Sequence, residues 1–140
     1  MSAGCQDDDP GLPEAVAETR AAIMRAAEMR DYDALPPLLN EEQLAAWRKQ
    51  GPKPLETMDA VLRMPHQVRE TNEGTLYQWP RLGPNSKPGD MSGSERELFR
   101  RVMTEAEVES LINPDYGYTA PRLGILADGR WWFFVLDRAP

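Results

Sequence analysis

The sequence predicts an α+β domain: an antiparallel sheet of about four strands, arranged as two hairpins, with several short helices packed on it. Three observations carry this. Apolar residues recur at spacings of three and four through the first half of the chain. The spacing switches to two over residues 66–79 and again over the stretch that begins at Tyr116. Each alternating stretch also folds back on a turn signal, Asn72-Glu73-Gly74 in the first and Asp128-Gly129 in the second. Asp-Gly between two apolar runs is the strongest short hairpin signal, because a type I′ turn needs positive φ at both central residues.

In chain order, residues 1–12 read as a flexible tether and 13–140 as one domain, large enough for a single core without metal or disulfide staples. A helix is predicted over 13–30: Pro13 suits its start, and Leu12, Val16, Thr19, Ile23, Ala26 and Ala27 form one apolar face. Glu18, Arg20, Arg25 and Glu28 are expected on the other side. A short helical piece follows over 31–39, where Asp31 or Asp33 can cap and Pro36 and Pro37 allow helix only in a first turn. Asn40-Glu-Glu-Gln43 opens a helix carrying Leu44, Ala45 and Trp47, which Gly51-Pro52 stops. The next helix places Leu55, Met58, Val61 and Leu62 on one face and ends at Pro65.

The first hairpin pairs 66–71 with 75–79, putting Thr75, Tyr77 and Trp79 on one face. Residues 81–93 hold three glycines and two prolines and read as a mobile loop. Two capping boxes, Ser94-Glu-Arg-Glu97 and Thr104-Glu-Ala-Glu107, then open two short helices. In the second hairpin Leu123, Ile125 and Ala127 share one face and Arg122, Gly124 and Leu126 the other. The last strand, from Trp131 to Leu136, is apolar on both faces, which predicts a central position with its second face covered.

Composition narrows the function classes. The net charge is −7; residues 1–60 hold 12 acidic and 6 basic side chains, residues 61–140 hold 11 and 10. No basic stripe stands out, which disfavours nucleic acid as a partner. No apolar run approaches the roughly 18–20 residues of a membrane span. The single cysteine, Cys5, rules out an internal disulfide framework. Ser2-Ala3-Gly4-Cys5 resembles the end of a bacterial lipobox, and the polar Gln6 to Gly11 stretch resembles the tether after a lipidated cysteine. A membrane anchor at Cys5 and an exported location are the expectation from that resemblance, with an inert cytoplasmic thiol as its alternative.

Two passages resemble known families. Ala26-Ala-Glu-Met-Arg-Asp-Tyr-Asp-Ala-Leu35 is similar to the opening of NTF2-like (SnoaL-like) cone-shaped domains. Tyr77-Gln-Trp-Pro80 with Tyr118 and Arg122-Leu-Gly-Ile125, then Asp128-Gly-Arg-Trp131 and Phe133-Phe-Val135, more closely resembles a group of bacterial exported or lipoprotein-type proteins with no established activity. The first resemblance implies a cone-like sheet, here reduced, since residues 40–64 read as helix where that fold places a strand. NTF2-like enzymes set an Asp, His or Tyr inside the cone; none maps onto this chain residue by residue, so the resemblance assigns no catalytic residue.

The chemistry-bearing patterns are sparse. One histidine, His66, and one cysteine are too few ligands for a zinc site. Asp7-Asp8-Asp9 lacks the turn framework of a calcium loop. Neither a phosphate loop nor a nucleophile elbow is present, and no cofactor is implied. One constellation suits a ligand site: Tyr77, Trp79, Arg81, Tyr116, Tyr118 and Arg122, aromatic walls with convergent cations, if the two hairpins are neighbours. The functional expectation is a non-catalytic binding or structural domain of the bacterial envelope. One alternative is a cavity that binds or transforms a hydrophobic small molecule, with Tyr118 or His66 as acid or base. The other is a module that binds a protein partner through the aromatic surface of the second hairpin.

Overall fold

The computed structural model describes residues 11–39 and 41–136. Cys5, the Asp7–Asp9 run and the predicted cap Asn40 lie outside the described residues. The α+β architecture is as expected. The described chain carries five α-helices, a four-stranded antiparallel sheet and a separate two-stranded ribbon.

Helix α1 (Glu14–Met29) follows Pro13 and ends where Arg30 turns left-handed, at φ 51. The N–H groups of Arg30 and Asp31 then close the last turn onto Ala27 O and Ala26 O, at 3.1 and 3.0 Å. Its buried face holds Val16, Ile23, Ala26 and Ala27 as the spacing requires, but also Arg20. Arg20 was expected in solvent and is 6% exposed. The reason is the end of helix α3 (Lys53–Leu62): Arg20 Nε and Nη2 donate to Leu62 O at 3.1 and 2.7 Å. A cation thereby satisfies a terminal carbonyl at the negative end of the helix dipole. Between the two, a 3₁₀ turn (Tyr32–Ala34) is capped by Asp31, and helix α2 (Glu42–Arg48) buries Trp47. Trp47 packs on Trp131 at 6.1 Å and edge-on to Phe134 at 5.2 Å.

Strands β1 (Gln67–Thr71) and β2 (Gly74–Trp79) form the first hairpin. After the loop come α4 (Gly93–Arg100) and α5 (Glu105–Glu109), the ribbon β3 (Ile112–Asn113) and β4 (Gly117–Tyr118), and the second hairpin, β5 (Arg122–Leu126) and β6 (Trp131–Val135). The order in the large sheet is β1-β2-β5-β6. This corrects the expectation for the last strand: β6 is an edge, and β5 is inner. The outer edge of β6 is engaged at its start, where Leu39 N–H donates to Trp131 O at 3.1 Å. The second turn also differs from the expected I′ type. Gly129 has φ 95, Asp128 does not have positive φ, and Gly129 N–H donates to Leu126 O at 2.8 Å. A three-residue loop of this kind needs only one left-handed position, and glycine supplies it.

Register fixes the two faces of the sheet. Tyr77 pairs with Ile125, Trp79 with Leu123, and Leu123 with Phe134, so these residues share one face. That face packs on α1 and α3 and holds the core. Gln78 pairs with Gly124, Leu76 with Leu126, and Arg122 with Val135, on the opposite face. Leu76, Gln78 and Leu126 on this face are also buried, while Arg122, Phe133 and Val135 are half-buried. A bulge between Gly124 and Ile125 inserts Trp132 into β6, so that Trp131 and Phe133 point to opposite faces.

Candidate functional site

The segment from Pro80 to Met91 leaves the sheet at a cis Trp79–Pro80 bond. Its composition suggests mobility, yet Leu82 and Met91 are buried and anchor it. Gly83 O accepts Tyr118 N–H at 3.0 Å, which ties the loop to the β3–β4 ribbon. Within the ribbon, Asn113 Oδ1 accepts the N–H groups of Asp115 and Tyr116 at 2.7 and 3.2 Å, an Asx turn that sets up Gly117. Gly117 has φ 76 and its Cα lies against the backbone of Gly83 and Pro84. Only glycine fits both the left-handed angle and the close approach.

These contacts deliver Tyr118 and Arg122 to one end of the sheet. Tyr118 is 4% exposed, lies 6.1 Å from the Phe99 ring and donates its hydroxyl to Pro121 O at 2.6 Å. Burial pushes its phenol pKa well above 10.0, Arg122 opposes that shift, and Glu95 adds to it. Glu95 is 2% exposed at the start of α4. It forms a reciprocal capping box with Ser92: Glu95 Oε1 accepts Ser92 N–H at 2.8 Å, and Ser92 Oγ accepts Glu95 N–H at 3.1 Å. The cap had been expected at Ser94; Ser92 takes the role because this register buries Glu95 and Phe99 on the inner side of α4. Arg81 Nη2 reaches both Glu95 Oε1 and Asp90 O at 3.4 Å. Glu95 Oε2 and Arg122 Nε are buried and have no hydrogen-bond partner.

The six residues singled out in the sequence therefore separate. Tyr118 and Arg122 lie within electrostatic reach of one another and of Glu95, which pairs with Arg81. Tyr77 and Trp79 do not share a face with Arg122. The register puts them on the helix-covered side, where the His66 ring stands 5.5 and 5.7 Å from theirs. Tyr116 is 70% exposed on the ribbon turn. Arg122 instead faces Val135 across the pair and is followed on its own side by Gly124, against which the Phe133 ring lies. Glu95 and Phe133 are the residues that sequence reasoning missed. The pattern Ser92-Gly-Ser-Glu95 was a second available capping box, and Phe133 was read only as part of an apolar run.

Three clefts lie outside this group. One of about 240 Å³ sits between α1 and α3 and includes Asp59 and Arg101. A second of about 240 Å³ includes Lys53, Met103, Leu136 and the Thr119–Pro121 segment between Tyr118 and Arg122, and so borders this end of the sheet. An open groove of about 680 Å³ runs along α4. None of the three is lined by His66 or by any of the six residues. Among the described residues no group of three or more His, Cys, Asp or Glu could hold a metal, and no helix is long and apolar enough to cross a membrane. No family model, curated protein or solved structure matches this chain.

The Tyr118 proton is committed to a backbone carbonyl inside the core. The helix-free face of the sheet combines half-buried Phe133 and Val135 with the half-buried Arg122. Aromatic residues and arginine are enriched in the fully buried centres of protein interfaces.

Proposed function

We propose that the protein is a non-catalytic binding domain that engages a protein partner through the helix-free face of its sheet. The observation that carries this reading is the composition of that face. Phe133 and Val135 remain half exposed on it, next to an arginine whose Nε–H no described residue accepts. The rest of that face, Leu76, Gln78, Gly124 and Leu126, is buried, so what it offers is the strip of Arg122, Phe133 and Val135. One cleft does border the Tyr118–Arg122 end, lined by Thr119, Ala120, Pro121 and Leu136, but neither Tyr118 nor Arg122 lines it.

The test is a fragment screen observed through the backbone amides of the isotopically labelled protein. Shift changes gathered on Gln78, Gly124, Phe133 and Val135 are expected. Changes confined to the cleft residues Asp59 and Arg101, or Lys53 and Met103, would overturn the proposal. A bacterial envelope setting belongs to the same proposal and rests on Ser2-Ala3-Gly4-Cys5 and on the resemblance of the terminal hairpin. Mass spectrometry of the protein from its native membranes should show a lipid adduct on the Cys5 peptide; an unmodified thiol would remove the anchor.

A further inference from the structure

Independently of the sheet face, we infer that the cleft beside the Tyr118–Arg122 segment takes a free α-amino acid with an apolar side chain. Lys53 receives its carboxylate, Glu107 its ammonium, and the apolar lining its side chain. The cleft, of about 240 Å³, is smaller than the roughly 300–1,000 Å³ of sites for drug-sized ligands, which suits a molecule of this size. Separated stretches converge to build it: the start of α3, the connection before α5, the end of α5, the segment between β4 and β5, and the residue after β6. Lys53, Glu107 and Ser110 are exposed, and Met103, Thr119 and Leu136 are half-buried, so each residue offered to the ligand reaches solvent.

Charge gives the two ends of the ligand. Lys53 and Glu107 line the same cleft with opposite sign, near enough for the Lys53 field to act on the Glu107 carboxylate. Neither forms an ion pair with a described residue, so a gap remains between the two charges. Glu107 Oε1 accepts Thr104 N–H at 2.7 Å, and hydrogen bonding with Thr104 holds its carboxyl below the ordinary range. It is therefore an anion at neutral pH. An α-amino acid carries both charges on one carbon and can meet Lys53 and Glu107 together.

The protons of the lining give the donor. Ser110 Oγ donates to Glu107 O at 2.9 Å, and Thr119 Oγ1 donates to Leu111 O at 3.3 Å. A hydroxyl has one proton, so toward the cleft both of these side chains only accept. The third hydroxyl, Thr57, is buried and donates to Lys53 O at 2.8 Å. Glu107, Ser110 and Thr119 thus form an acceptor set, and Lys53 is the one lining side chain with free donors. An ammonium has three donors and no acceptor, which complements that set better than a neutral hydroxyl does. Met103 and Leu136 supply apolar surface above the buried Leu111 and Ala120.

Leucine, leucinamide and N-acetylleucine, titrated in turn into the isotopically labelled full chain, test this. Leucine should bind with a Kd of about 1 mM and shift the Lys53, Met103, Ser110 and Thr119 amides. Leucinamide lacks the carboxylate and N-acetylleucine the ammonium, so each should bind roughly tenfold more weakly. Lys53→Gln should weaken leucine roughly tenfold and leave leucinamide unchanged; Glu107→Gln should weaken leucine equally and leave N-acetylleucine unchanged. Glutamine also serves in a capping box, so the urea midpoint of E107Q should stay near that of the parent. An analogue bound as tightly as leucine, or leucine affinity unchanged in either variant, would overturn the zwitterionic ligand. An absence of shifts in the cleft at about 10 mM leucine would overturn the site. Neither result bears on the sheet face, which reports through Gln78, Gly124 and Phe133 and should not move with leucine.

Discussion

Replacing Gly117 with alanine tests whether the loop and ribbon really position the Tyr118–Arg122 segment. Gly117 sits at φ 76, a left-handed angle that costs an L-residue about 1–2 kcal/mol. Its new Cβ would collide with the carbonyl of Pro84 and stand 2.6 Å from Gly83 O. Those are backbone atoms and cannot rotate aside, so the 83–84 segment must move. That motion breaks Tyr118 N–H to Gly83 O, now 3.0 Å, for about another 1 kcal/mol. The sum is about 3 kcal/mol, and with a urea slope of about 2 kcal/mol per molar the midpoint should fall by roughly 1.5 M. Gly89→Ala is the matched control, since its φ is ordinary and a Cβ there meets nothing within 4 Å. It should stay within about 0.5 kcal/mol of the parent. A Gly117→Ala midpoint indistinguishable from that control would refute the close packing of loop on ribbon, and with it the placement of Arg122.

Three further outcomes are expected. Arg20→Met removes two charge-assisted donations to Leu62 O and should cost about 2–3 kcal/mol by chemical denaturation; a neutral result would mean that Leu62 O finds water instead. Gly124→Ala would bring a Cβ within 2.7 Å of Phe133 Cζ and 3.0 Å of Leu76 Cδ1, so the half-exposed ring must swing outward. It should cost only about 1 kcal/mol by chemical denaturation, and a loss of several kcal/mol would show that the Phe133 ring cannot move aside. Tyr118, held neutral chiefly by burial, has a folded pKa above its unfolded value of 10.0. Its contribution to stability is therefore whole below that pH and is lost as the pH rises from there toward the folded value. Phenolate absorbance should show one tyrosine ionising only with unfolding, and Tyr118→Phe should delete that step; its persistence in the variant would assign it to another tyrosine.

Both hairpins were legible because alternation and a glycine at each turn are local signals. The residues that failed to read correctly are those decided by distant partners. Arg20 has the charge of a surface residue, and only the end of α3 lying beside it makes burial favourable. Two overlapping capping boxes start at Ser92 and Ser94, and local chemistry does not separate them. Burial of Phe99 and Glu95 selects Ser92. Grouping Tyr77 and Trp79 with Arg122 failed on register alone, since a one-residue offset across a pleated pair moves every side chain to the other face.

The misplacement of β6 has the same physical origin and bears directly on function. Apolar residues on both faces suggested an inner strand, yet the inner strand is β5, which carries Arg122 and Gly124 on its second face. Gly124 offers nothing to cover that face, and the Phe133 ring from the neighbouring strand lies over it. The apolar character of β6 thus serves two strands. It also leaves Phe133 and Val135 at the outer side of the sheet, half exposed beside Arg122, whose buried Nε–H no described residue accepts. An edge strand built only for stability could have been polar on that side, as β1 is, with Gln67, Arg69 and Thr71 there. Keeping apolar side chains there costs solubility, and a partner that covers them is the physical condition under which that cost is offset.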